Sequence, residues 1–289
     1  VVRLRALFFF LVFSSWFGVQ ESDAASVPKN SRILQVAQFD SKLEESSGLA
    51  FYDGFFWTVN DSGNSNAIFK VSKSGKRVHE VKVLNAENID WESLAQDESH
   101  LYVADTGNNL NRRRTFTIYK IPWASLSSST VEAEILTFTY GDYESGRMRS
   151  HNFDAEAIAI NGNEVWLFSK NRGDQKTRLY KFPKFAGHYS PNPFQLLPVN
   201  SLVTGADINS TSDMLFLLSV RRSSSGMENL LWEIPIDSEG VSWDSRKVTR
   251  ILPEDQWEAL IYDGRENEIY FTHEDNERGF AGLGKLQRR

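Results

Sequence analysis

The residues of this chain with the clearest chemical potential are carboxylates at the heads of short apolar runs. They stand in Asp90-Trp91-Glu92-Ser93-Leu94-Ala95, in Asp154-Ala155-Glu156-Ala157-Ile158-Ala159 and in Gln256-Trp257-Glu258-Ala259-Leu260-Ile261. Carboxylates gathered around a narrow space repel one another unless they are protonated, hydrogen-bonded or neutralised. A hard cation such as calcium accepts several such oxygens together with backbone carbonyls and waters. Asp90, Glu92, Asp154, Glu156 and Glu258 are therefore candidate ligands of a bound Ca2+. Two other roles stay open for them: accepting backbone amides that lock one repeat to the next, or forming an acid pair for catalysis without metal.

A second set is basic. Arg112, Arg113, Arg114, Lys170, Arg172, Arg221 and Arg222 fall in polar loops, and Arg147, Arg149 and His151 lie in a long loop before Asp154. Arginines around an acidic or metal-bearing mouth suit a phosphate or a uronic-acid carboxylate. Arg112, Arg113, Lys170, Arg172, Arg221 and His273 are the candidate ligand-binding residues, against the alternative of surface ion pairs with Glu274, Asp275 and Glu277. Asp105-Thr106-Gly107-Asn108-Asn109 has the composition of a calcium loop without the spacing of the helix-loop-helix site, and reads as a tight turn. Asn60-Asp61-Ser62 and Asn209-Ser210-Thr211 are formal glycosylation sequons. There is no Gly-x-Ser-x-Gly elbow, no His-Glu-x-x-His, no phosphate-binding glycine loop and no cysteine nucleophile. An enzyme built on this chain would activate water with a metal or a carboxylate.

These residues must be positioned by a repeat. Each carboxylate-headed strand is followed by a turn and a second apolar strand, such as Leu101-Tyr102-Val103-Ala104 or Val165-Trp166-Leu167-Phe168. Weaker copies begin at Ser46-Ser47-Gly48-Leu49 and Gly205-Ala206-Asp207-Ile208. With Leu49, Leu94, Ile158, Ile208 and Leu260 as anchors, the spacing runs from 45 to 64 residues, the length of a four-stranded propeller blade with its loops. The expected fold is all-β, a five-bladed β-propeller of four-stranded antiparallel blades. The last copy is one strand short, and the segment from Ile33 to Phe39 is expected to close the ring by supplying it. A six-bladed ring is the alternative, with a degenerate blade hidden in the longest interval. The strands entering each blade are innermost, so their acids converge on a central channel, and the loops joining second to third strands share that face. Trp91 and Trp257 stand at equivalent positions and are expected to pack between blades.

Composition bounds the function. The formal charge is −6 with dispersed basic residues, which gives no electrostatic footprint for nucleic acid. Arg3 and Arg5 precede an apolar run from Ala6 to Val19 and then small residues at Ala24-Ala25, the order of a secretory signal peptide. Residues 1–25 are expected to be a signal peptide and 26–289 a single propeller domain, secreted or periplasmic, monomeric, with no membrane span after cleavage. A cysteine-free exported domain of this length can bury a sufficient core without disulfide staples.

The strings Asp90-Trp91-Glu92-Ser93-Leu94-Ala95, Ala104-Asp105-Thr106-Gly107-Asn108-Asn109 with Arg112-Arg113, Asp154-Ala155-Glu156-Ala157 and Thr204-Gly205-Ala206-Asp207-Ile208 resemble those of a family of exported, largely uncharacterised bacterial β-propellers. In organisation the chain is also similar, more distantly, to the five-bladed, calcium-dependent apyrase-type nucleotidases, a resemblance that implies a central calcium. Two functions follow as expectations. One is an exported binding module that recognises a small anionic molecule, a glycan or an envelope protein through its loop-rich face. The other is a calcium-dependent hydrolase of phosphoester, phosphoanhydride or related anionic substrates.

Overall fold

The computed structural model describes residues 28–144, 150–209, 211, 213–223, 226–275 and 281–287. The expected signal peptide, Arg147, Arg149, Glu277 and the middle residue of the second sequon lie outside the described residues.

Almost all regular structure is β. After β1 (Lys29–Gln38) the chain runs through a meander of β2 (Ser46–Tyr52), β3 (Phe55–Asn60), β4 (Ala67–Val71) and β5 (Arg77–Val83). The second meander has β6 (Trp91–Gln96), β7 (His100–Asp105) and β8 (Phe116–Pro122); a short β9 (Thr130–Val131) then leaves for β5 before β10 (Glu134–Phe138) completes it. The third has β11 (Ala155–Asn161), β12 (Glu164–Ser169) and β13 (Thr177–Pro183), then β14 (Gly187–Tyr189), which lies parallel on β10, and β15 (Pro193–Leu197). The fourth is β16 (Leu202–Asn209), β17 (Met214–Ser223) and β18 (Gly226–Asp237), followed by a short β19 (Gly240–Val241) on β18 and by β20 (Lys247–Leu252). The last is β21 (Trp257–Asp263), β22 (Glu268–His273) and β23 (Gly282–Gln287), with β1 antiparallel on β23. No further meander lies between β10 and β11 among the described residues.

The first strands β2, β6, β11, β16 and β21 pack side by side in that order, and β21 packs against β2. Covered on both faces, they are built from small and apolar residues and are buried along nearly their whole length, as in Trp91–Gln96 and Ala155–Asn161. Outer strands cover one face only, so β5 and β20 alternate buried with exposed residues. An apolar cluster fills each junction between successive meanders, and Leu49, Phe56, Ile261 and Tyr270 join the last to the first. Trp91 and Trp257 are buried in two of these junctions, and each indole N–H donates to the carbonyl four residues earlier, Glu87 and Pro253, at 3.0 and 3.1 Å. The result is an all-β, propeller-like architecture.

Sheet edges are covered in a way the repeat pattern does not foretell. Residues 29–32 of β1 pair in parallel with β20, which fuses the fourth and fifth meanders into one nine-stranded sheet. Unpaired edge N–H and C=O groups are a liability, and β9 on β5, β14 on β10 and β1 on β20 each satisfy an outer edge. At β15 a side chain does part of this work, because Gln195 bonds both the N–H and the carbonyl of Val241. No helix among the described residues is long and apolar enough to cross a membrane.

Candidate functional site at the head of the inner strands

The position of the acids follows from one local irregularity. At the start of each first strand the register with the second strand slips by one residue, at Ser47, Glu92, Glu156, Thr204 and Glu258. A β-bulge leaves its extra residue unpaired and re-aims its side chain. These five residues are therefore structural equivalents, and chemistry divides them. Ser47 and Thr204 donate their hydroxyls to the carbonyls of Trp91 and Trp257 on the next inner strand, at 2.8 and 3.4 Å. The three glutamates are left for other work.

A second set of equivalents follows, in each second strand, the partner of the residue before the bulge: Asp61, Thr106, Lys170, Val220 and Glu274. Thr106 closes on the Ala155 carbonyl at 2.8 Å. A carboxylate oxygen from each of Asp61, Asp90 and Glu92 can be drawn so that all three lie within 4.8 Å of one another. Gly107 lies directly over Asp90 and Glu92, where a β-carbon would collide with both carboxylates. Glu92 is buried, and no hydrogen bond or ion pair reaches its carboxylate among the described residues. Burial, then Glu156 and Asp61, push the Glu92 carboxyl well above its ordinary range. Asp90 is pushed up to about 7 by burial and by Asp61 and Asp154, and Asp61 is raised chiefly by burial. These three have the oxygen donors that calcium takes, with coordination positions left for water or ligand.

The neighbouring acids are already neutralised. Asp154, fully buried, accepts the Asn108 N–H at 2.7 Å and the Arg172 guanidinium at 3.2 Å. Glu156 holds the Lys170 ammonium directly and lies 3.6 Å from Arg172. Burial alone would lower Lys170, but Glu156, Glu258, Glu92 and Asp154 outweigh it and keep the ammonium charged. Asp105 is paired with Arg113 at 2.8 Å and accepts the Asp90 N–H at 2.9 Å. Glu258 is half-buried and bears on Glu274, whose carboxyl is pushed up to about 8 by burial and then by Glu258 and Asp61.

Of the five acids expected to share one cation, Asp90 and Glu92 converge with Asp61, while Asp154 and Glu156 face cationic side chains. The basic residues are mostly committed as well. Arg113 donates to the carbonyls of Gly107 and Asp105 and so braces the loop from Asp105 to Arg113. Arg172 also reaches the Asn109 side chain. Arg221 pairs with Glu228 across its own hairpin at 2.7 Å. His273 packs edge-on to Trp257 and donates Nδ1–H to the Glu274 carbonyl at 3.1 Å. Arg112 is exposed on the rim. Asp207 accepts the Tyr262 N–H at 2.8 Å, a link between neighbouring inner strands.

In the sequence Asp61 stands out only as the middle of a sequon, and Glu274 only as an ion-pair partner. Aligning the ends of the second strands, rather than the heads of the first, would have found both. Asn60 of that sequon is buried and donates its side-chain amide to the Lys42 carbonyl at 2.7 Å. A cleft of about 390 Å³ opens beside this region, lined by Lys42, Glu45, Asn64, Phe69 and Glu80 among others.

No protein-family model and no curated protein matches this chain. Solved structures do. U3-55K is similar with a TM-score of 0.44 at 10% identity over 91% of this chain and 100% of that one. The WD40 domain of Neurospora crassa Pan2 gives 0.43 at 8% identity over 91% and 98%. The catalytic domain of a Coprinopsis cinerea GH62 alpha-L-arabinofuranosidase gives 0.52 at 12% identity over 90% and 96%. At such identities the likeness concerns the fold.

Proposed function

We propose that this chain is a five-bladed propeller module that binds a divalent cation of the calcium type on Asp61, Asp90 and Glu92, and presents that cation to an anionic molecule or a glycan. Five blades are inferred from the cyclic packing of the five inner strands and the apolar cluster at each junction. The observation that carries the cation is Glu92, a buried carboxylate beside two others with no partner of its own. Leaving such a group uncompensated is costly, and a metal ion removes the cost. Arg113 and Arg172 are engaged with the protein's own carboxylates, so the anionic ligand is bound through the cation and the exposed Arg112 rather than through an arginine cluster.

The hydrolase reading draws on one specific feature. Calcium takes about six to eight oxygens, more than three monodentate carboxylates provide, which leaves room for a metal-bound water and a substrate oxygen. Under that reading Glu274, beside Glu258, is the group placed to manage a proton.

The test is thermal unfolding of chelator-treated protein with and without millimolar calcium. A ligand at about a hundred times its Kd stabilises by about 2.7 kcal/mol, so the midpoint is expected to rise by several degrees and to rise far less in Glu92→Gln. Equal shifts in both proteins, or none in the wild type, contradict the assignment.

A further inference from the structure

Lys170 stands where the first and fifth repeats carry Asp61 and Glu274, in the position that follows the second strand. Its side chain is buried, its ammonium sits on Glu156, and Glu258, Glu92 and Asp154 all bear on it. A buried ammonium loses its hydration, and it is retained only where surrounding negative charge compensates. An ammonium is a compact, strongly hydrated point charge, so among carboxylates it can stand where a metal ion would. Arg172, the other cation at this side, approaches Glu156 only at 3.6 Å and is committed to Asp154.

We propose that the Lys170 ammonium is a tethered second cation of the channel, seated on the buried Glu156 carboxylate where a divalent cation would otherwise sit, and that it limits the mouth to one exchangeable ion. The inference rests on the reading of Asp61, Asp90 and Glu92 as the site of that exchangeable ion. Glu92 and Glu156 are equivalent bulge residues in adjacent strands, and of the two only Glu156 carries an ammonium on its carboxylate. Lysine neutralises Glu156, and Glu92 is left to an ion from solution. With the ammonium removed, Glu156 would keep its burial and lose its nearest countercharge, and a second ion would enter.

Calcium bound per chain, measured by equilibrium dialysis of chelator-treated protein, tests this directly. The expected counts are one for the wild type, two for Lys170→Met, one for Lys170→Arg, and one for Lys170→Met combined with Glu156→Gln. A wild type that binds no calcium removes the cation reading itself and this inference with it. A wild type that binds one ion while folded Lys170→Met also binds one overturns this inference alone, as does a wild type that binds two. If Lys170→Met is unfolded without metal, calcium is expected to refold it, and a variant that stays unfolded in millimolar calcium contradicts the proposal.

Discussion

Glu92 and Glu156 occupy the same bulged position in adjacent inner strands, yet only Glu156 carries a cationic side chain on its carboxylate. The repeat delivers both carboxylates to one mouth, and the residue after each second strand decides their fate. Thr106 in the second repeat is spent on a backbone carbonyl, while Lys170 in the third neutralises its own glutamate.

Gly107 is required by the two carboxylates beneath it rather than by its backbone conformation. Gly107→Ala is expected to weaken calcium binding at least tenfold, about 1.4 kcal/mol, because the new β-carbon displaces Asp90 and Glu92. Unfolding of the chelator-treated variant should change much less, since the displaced atoms are the ends of side chains. Calorimetric titration of wild type and variant checks this, and an unchanged affinity contradicts it.

The two members of the Arg112-Arg113 pair should behave differently. Arg113→Ala leaves Asp105 buried without its ion pair, and breaking such a pair costs about 3–5 kcal/mol. Arg112 is exposed, so Arg112→Ala should alter stability by no more than about 0.5 kcal/mol. Urea unfolding of both variants distinguishes a structural from a solvent-facing arginine. Similar losses in the two would mean that the loop is not braced as described.

Stability should fall with pH when no metal is present. Asp90 and Asp207 are raised to about 7, and Glu274 to about 8, each first by burial. Between the ordinary carboxylate range, about 4, and these values, the folded chain holds protons that the unfolded chain has released. Stability is then fully present below about pH 4, declines as pH rises towards 8, and levels off above. Asp207→Asn, remote from the cation, should flatten part of this decline, and calcium should offset the part due to the mouth. Unfolding midpoints from pH 4 to 9 measure it; a midpoint that rises over this range in chelator contradicts the assignment.

The hydroxyls of Ser47 and Thr204 serve the fold rather than the site. Ser47→Ala should cost about 1 kcal/mol, the usual net worth of one hydrogen bond, and leave calcium affinity unchanged. Trp91→Ala, in a fully buried junction, should cost about 3–5 kcal/mol. A Ser47→Ala variant with weakened calcium binding would show that the bulge hydroxyl reaches the ion.

The sequence made the five meanders legible because three inner strands open with a carboxylate among small and apolar residues and the other two keep the small and apolar residues. It placed Asp90 and Glu92 at a shared mouth, and it read Trp91 and Trp257 as junction residues, where the structure also has them. It did not separate the acids that need a cation from those that have one. That distinction depends on the residue following each partner strand, about ten residues away in sequence or more, so Asp61 was hidden in a turn and Lys170 among surface bases. The parallel caps by β9, β14 and β1 were equally invisible, because short edge pairings are fixed by which backbone groups remain unsatisfied after the blades have packed.

The most direct test of the central claim is a crystal structure of the chain soaked in calcium and viewed at the channel mouth. One ion is expected, about 2.3–2.6 Å from an oxygen of each of Asp61, Asp90 and Glu92, with further positions open to water. A mouth with no ion there, in which Glu92 is hydrogen-bonded to protein or ordered water, would contradict the account.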